Sequence, residues 1–232
     1  MSILIVVSHP DDEVLGCGAM AAELAARGHE VRSCILSGQV GARQHRPSVL
    51  DLHSDLRESH RILGIGEAIL GDFPNIAFNT VPHLELVQFI EKAMVQTDAD
   101  ILLTHHPQDL NNDHLHTSIA CQAAARLAQR SNRGPRLKAL YFMEILSSTD
   151  WAFPGPANLF TPDTYFELGE QRLSQKCDAL QAYRNVMRDY PHPRSLENVR
   201  ALATLRGGQA GMRYAESFQT AFHAWGFAER SH

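Results

Sequence analysis

The chain has 232 residues, long enough to bury one sizeable core, with 44% hydrophobic and 20% charged residues, an ordinary globular composition. A net charge of −5 and a pI near 6.2 argue against a nucleic-acid partner, because neutralising a phosphate backbone calls for a basic surplus. No apolar run approaches the length of a membrane span, and the opening apolar run ends in acids without a basic leader, so it reads as a strand and not a signal peptide. Cys17, Cys34, Cys121 and Cys177 are scattered, form no CxxC pair and read as small buried hydrophobes in a reducing, cytoplasmic setting.

In chain order, Ile3–Ser8 is a nearly continuous apolar run, as expected of a strand buried on both faces. Val14–Arg27 carries a helical apolar stripe and stops at Gly28; Glu30–Leu36 predicts a second strand. The polar stretch Ser37–Val49 is long for a connection, which suggests a functional loop; its Arg43 and Arg46 suit either a phosphate or sugar ligand or plain solvation. Leu50–Leu63 predicts a helix, Ala68–Leu70 a strand, and Pro82–Val95 a helix with proline in its first turn. Asp100–Thr104 is strand-like, a helix is expected from about Asp113 to Gln129, and Lys138–Met143 is a further strand.

This order predicts an α/β fold: a Rossmann-like, mostly parallel sheet with helices on both faces. After Glu144 the composition shifts to turn formers and aromatics. The segment "SSTDWAFPGPANLFTPDTYFEL" predicts an extended crossover or lid, Gly169–Arg188 a helix, Leu196–Arg206 a last helix and "AESF" the start of a final strand. The reading is one domain over 1–232, with a core to about 145 and a C-terminal elaboration over about 146–232.

Two strands end in polar clusters: His9, Asp11, Asp12 and Glu13 after the first, and His105, His106, Asp109, Asp113, His114 and His116 after Asp100–Thr104. Parallel sheets bind ligands beyond the carboxyl ends of their strands, so neighbouring strands would bring both clusters to one crevice. Imidazoles and carboxylates without thiolates suit Zn²⁺ or another borderline divalent metal, and two histidines with one carboxylate leave room for water. A second carboxylate is then free to act as general base. Adjacent acids are tolerable there because a cation and a helix N-terminus offset them. Gly16 and Gly18 lack the spacing of a dinucleotide loop. "PHPRS" either presents His192 and Arg194 to a ligand or ends a helix.

"SHPDDEVLGCGA" with the downstream "NNDHLHT" resembles the zinc-dependent deacetylases of the PIG-L/LmbE type, which remove acetyl groups from N-acetylglucosamine-containing substrates. "LRESHRILGI", "KCDALQAYRN" and "RGGQAGMRYAESF" extend the likeness over most of the chain. The resemblance implies His9, Asp12 and His114 as metal ligands and Asp11 as general base. Asp113 would be the catalytic-site carboxylate that orients an imidazole or a catalytic group, and Arg57 a substrate contact. It further implies Zn²⁺, with Fe²⁺ or Co²⁺ able to use the same ligands, and a small-molecule or glycoconjugate partner bearing an N-acetylated amino sugar. Assembly into a homo-oligomer is left open. Glu13 would cap or orient the loop. Asn111 stands where many members carry histidine, so His105, His106 or His116 must take over any role of that group; His106 is placed with Arg57 as substrate-binding. No tyrosine among Tyr141, Tyr165, Tyr183, Tyr190 and Tyr214 is marked as the oxyanion donor. The rival readings are an amidase acting on another sugar-linked amide and a catalytically idle sugar-binding module.

Overall fold

The computed structural model describes residues 1–39, 48–130, 136–153 and 159–224. β1 (Ser2–Val7) sits inside a seven-stranded sheet and is buried along its whole length. Its side chains alternate: Ile3, Ile5 and Val7 enter one core, Leu4 and Val6 the other. The first core is closed by α1 (Asp12–Ala26), α2 (Val49–Leu63), α5 (Glu170–Ala182) and α6 (Leu196–Gln209). The second is closed by α3 (His83–Thr97) and α4 (Asn112–Arg130). A strand with both faces covered must be apolar throughout, which is why "ILIVV" shows no polar alternation.

The strand order is β3-β2-β1-β4-β5-β7-β6, where β2 is Glu30–Ile35, β3 Ile69–Leu70, β4 Ile101–His105, β5 Ala139–Met143, β6 Thr164–Glu167 and β7 Ala215–His223. The first five strands are parallel; β7 runs antiparallel to β5, and β6 to β7. β1 and β4 are neighbours with Val6 opposite Thr104, so their carboxyl ends open on one crevice at the point where the strand order reverses. The mostly parallel α/β reading therefore stands.

Two elements differ from expectation. The stretch read as a lid contains β6, whose Tyr165 and Phe166 add an edge strand next to β7. The helix expected to run to Arg188 ends at Ala182, because Tyr183 turns extended and Asn185 takes a left-handed φ of 61°. That early stop frees residues 183–195 to fold back across the crevice. Arg43 and Arg46 lie outside the described residues, as does part of the segment after Trp151.

α1 is broken at Cys17 (φ −151°), and a buried ion pair fills the break. Glu216 accepts from the Ala19 and Met20 N–H groups at 3.1 and 2.7 Å, while Lys176 Nζ donates to Leu15 O at 2.8 Å and to Glu216 at 2.7 Å. Backbone groups orphaned by the kink thus find partners in side chains. Gly16 lets α1 lie against β5: a Cβ there would stand 2.5 Å from Met143 Sδ.

Candidate metal centre

Asp11 sits at the N-cap of α1 in a left-handed conformation (φ 101°, ψ −28°) that non-glycine residues rarely adopt. Its carbonyl receives the Val14 and Leu15 N–H groups, and its own N–H donates to Glu13 Oε2 at 3.0 Å. Glu13 in turn accepts from the Tyr183 hydroxyl at 2.5 Å and lies 3.5 Å from His60 Nε2. The strain has a use. The Asp11 carboxylate does not cap its own helix; it faces Arg194, whose Nη1 is 3.2 Å away. Arg194 is buried, and its Nε donates to Ser147 Oγ at 2.8 Å.

Beside it, His9 Nδ1 and His114 Nε2 approach Asp12 Oδ2 at 3.3 and 3.2 Å, and one atom from each residue falls within 4.8 Å of the others. All three side chains are buried. The second nitrogen of each imidazole meets a carboxylate: His9 Nε2 lies 3.0 Å from Asp113 Oδ2, and His114 Nδ1 lies 3.1 Å from Asp109 Oδ1. Such pairs set the tautomer and leave the inward nitrogens as lone-pair donors. Asp113 also accepts from the Ile76 and Phe78 N–H groups at 2.6 and 3.0 Å. Asp109 is held by Ser148 Oγ, by Thr149 Oγ1 at 2.7 Å and by the Asn111 N–H at 2.9 Å.

The electrostatics reflect the crowding. Burial pulls Asp12 up, yet the charge and hydrogen bonds of His114, with His9 and His105, hold it well below the usual carboxylate range. Burial pulls His114 down, but Asp12 and Asp109 outweigh it and raise the imidazole to about 10. The negative charge that keeps a proton on His114 would equally favour a divalent cation in that proton's place at the inward nitrogen. The donor set fits such an ion: two imidazoles and a carboxylate converge, no thiolate is present, and both outer nitrogens are already anchored.

The structure brings His9, Asp11, Asp12, Asp113 and His114 together at the ends of β1 and β4. His105 stacks on His114 at 3.8 Å; its Nε2 accepts the Ser8 N–H, and burial followed by the charge of His114 pushes its pKa down to about 3, so it stays neutral. His106 is buried edge-on against Phe142 and Phe160, with Nδ1 accepting from the Gln108 N–H. Arg57 is exposed on α2 and lines a separate groove with His53, His60 and Glu67, which none of the cluster residues shares. His116 is half-buried outside the cluster, and the Tyr183 hydroxyl is committed to Glu13.

Sequence reasoning did not assign roles to Asp109, Ser148, Tyr183 or Arg194. The signal was present for Arg194 in "PHPRS" and for Tyr183 in "KCDALQAYRN", but neither motif shows by itself which strand end it faces.

A His–His–Asp cluster at the switch point of a parallel sheet, with a further carboxylate beside it, marks an α/β protein whose donor set suits a divalent metal. Residues 4–125, more than half of the chain, match the family model described as GlcNAc-PI de-N-acetylase, and the chain belongs to this PIG-L family. The uncharacterized deacetylase YaiS of Escherichia coli K12 is 32% identical over 133 residues, covering 53% of this chain and 68% of that one. The N,N'-diacetylchitobiose deacetylase of Pyrococcus horikoshii shares the fold with a TM-score of 0.76 at 18% identity, over 94% of this chain and 82% of that one. So does GalB, the 4-carboxy-2-hydroxymuconate hydratase of Pseudomonas putida KT2440, with a TM-score of 0.73 at 20% identity, over 99% and 100% of the two chains.

Proposed function

We propose that this protein hydrolyses the acetamide of an N-acetylated amino sugar, releasing acetate and the free amine, with a divalent metal, zinc first, held by His9, Asp12 and His114. The observation that carries the reading is Asp11: a strained, buried carboxylate placed beside the ligand cluster and turned away from capping duty. A metal in this cluster would supply Lewis-acid polarisation of the acetyl carbonyl and a more acidic water. The chain's own residues do the rest. Asp11 takes a proton from the attacking water, and the same carboxyl group then delivers it to the departing amine nitrogen, so that water and amide become acetate and amine. Arg194 pairs with Asp11 and aims it, and Glu13, pinned by Tyr183, holds the Asp11 backbone in its left-handed turn. Asp113 and Asp109 fix the imidazoles of His9 and His114.

An amide substrate is supported by the family and by the relatives named as deacetylases; the hydratase GalB carries other chemistry on the same fold. A panel of N-acetylhexosamines is the test. Acetate release should stop after chelation and return on adding Zn²⁺, Fe²⁺ or Co²⁺. Release untouched by thorough chelation would rule the reading out.

A further inference from the structure

A cavity of about 350 Å³ opens directly beside the ligand cluster. It shares Ser148 with the cluster, since that hydroxyl bonds Asp109, and Arg194 with the base, since that guanidinium bonds Asp11. Its other walls include Arg188, His192 and Trp151. No carboxylate lines it, so the described lining carries two guanidiniums and an imidazole. Asp189, next to Arg188 in the chain, is exposed and lies outside the lining, and other nearby acids are engaged. Asp11 balances Arg194, Asp51 and Asp55 pair with Arg184, and Asp150, outside the lining, caps the Ser148 N–H. Arg188 enters no ion pair among the described residues and is exposed to the cavity mouth. The excess of positive charge is felt locally: burial and then the charges of Arg194 and Arg188 push the His192 imidazole down. Trp151, half-exposed and edge-on to His192, offers an apolar face of the size of a pyranose ring.

Geometry relates this cavity to the reacting bond. The acetamide of a 2-acetamido sugar sits on C2, so a cavity adjoining the base receives whatever is attached to C1 or C3. We propose that the cavity selects N-acetylated sugars bearing an anionic group, phosphate or carboxylate, on the carbon next to the acetamide, with Arg188 meeting the anion. The inference rests on the deacetylase reading and names its substrate class. Arginine suits the task because its planar fork matches both anions in a bidentate manner.

The test uses the metal-loaded full chain and three probes: N-acetylglucosamine, its 1-phosphate, and its 3-O-lactyl ether. Proton NMR line-broadening titrations read binding, and the acetate methyl signal reads turnover in the same tube. At low salt at least one anionic probe should bind about tenfold or more tighter than the neutral sugar. Arg188→Gln should remove most of that gain and Arg188→Lys should keep part of it. The phosphate and lactyl arms decide which anion and which carbon the cavity accepts. Equal binding of all three sugars, or a gain that survives in Arg188→Gln, would overturn the inference. An anion preference lost in Arg188→Gln but unaccompanied by acetate supports the anion site and removes instead the deacetylase reading for these sugars.

Discussion

Asp113 shows how one side chain in the candidate site is held from several sides at once. Its carboxylate spans His9 Nε2 and two backbone N–H groups of the 76–78 loop, one of them from Ile76 in a left-handed turn (φ 60°). The expected consequence is on the metal. Asp113→Asn should weaken metal affinity by roughly 10- to 100-fold, measured by competition with a chromogenic chelator. At saturating metal most of the activity should return. An affinity equal to wild type would remove the orienting role. "NNDHLHT" in the sequence marks Asp113 as belonging to the site, but which imidazole it serves was not legible there: His9 lies 104 positions away and only the β1–β4 pairing brings the two together. Arg57 shows the same limit from the other side. Its place in a helix motif suggested a ligand contact, yet the helical turn that buries Leu56 points Arg57 to another groove. A one-residue step on a helix is a rotation of about 100°, and a motif matched by likeness does not fix that angle.

At the scale of elements, α1 is the part most dependent on distant sequence. Its kink at Cys17 is stabilised from α5 by Lys176 and from β7 by Glu216, so the two C-terminal motifs secure the helix that begins at the candidate metal centre. Both side chains are buried. Lys176→Met would leave the Glu216 charge uncompensated inside the protein, and losing one partner of a buried pair typically costs about 3–5 kcal/mol. Thermal denaturation should show a midpoint lower by roughly 10 °C, and restoring neutrality with Lys176→Met plus Glu216→Gln should recover part of it. A single variant as stable as wild type would mean that the kink needs no such support. The parallel strands were legible because a strand covered on both faces needs an unbroken apolar run, as in "ILIVV" and "ILLT". β6 was hidden because an edge strand of three half-buried residues and one exposed one, Thr164–Glu167, carries too few apolar positions to stand out from the turn formers before it. The end of α5 was obscured because nothing in "AYRNVMR" breaks helical periodicity; tertiary contacts of Tyr183 with Glu13 end it instead.

For the whole molecule, the two cores make a pH dependence of their own. Burial pushes the thiols of Cys34 and Cys121 up, the latter to about 12, and burial followed by the charge of Glu13 drives the Tyr183 hydroxyl well above its ordinary value. These groups hold their protons more tightly folded than unfolded. Their stabilisation is complete below the unfolded values, near 8.5 for cysteine and 10 for tyrosine, and is lost as the pH climbs from there towards the folded values. Each such group contributes a slope of about −1.4 kcal/mol per pH unit in that window. Denaturation midpoints should therefore fall increasingly steeply from pH 9 to pH 11, and a thiol reagent should label Cys34 and Cys121 only as fast as the protein unfolds. A flat profile with rapid labelling would contradict the packing. The class of fold and the cluster at two strand ends were readable from the sequence because both follow from local patterns. The cavity beside them was not, since its walls come from residues 110–111, 147–151 and 185–194, which only the closed sheet gathers.

The most direct measurement is acetate release by Asp11→Asn set against wild type, with the metal content of both proteins determined on the same samples. Amide and carboxylate are nearly isosteric, so the variant keeps the shape of the turn and loses the base. The expected result is an undiminished metal content and a kcat lower by about 10²- to 10⁴-fold. Acetate released by Asp11→Asn at the wild-type rate, with the metal still bound, would contradict the assignment of Asp11 as the base and with it the mechanism.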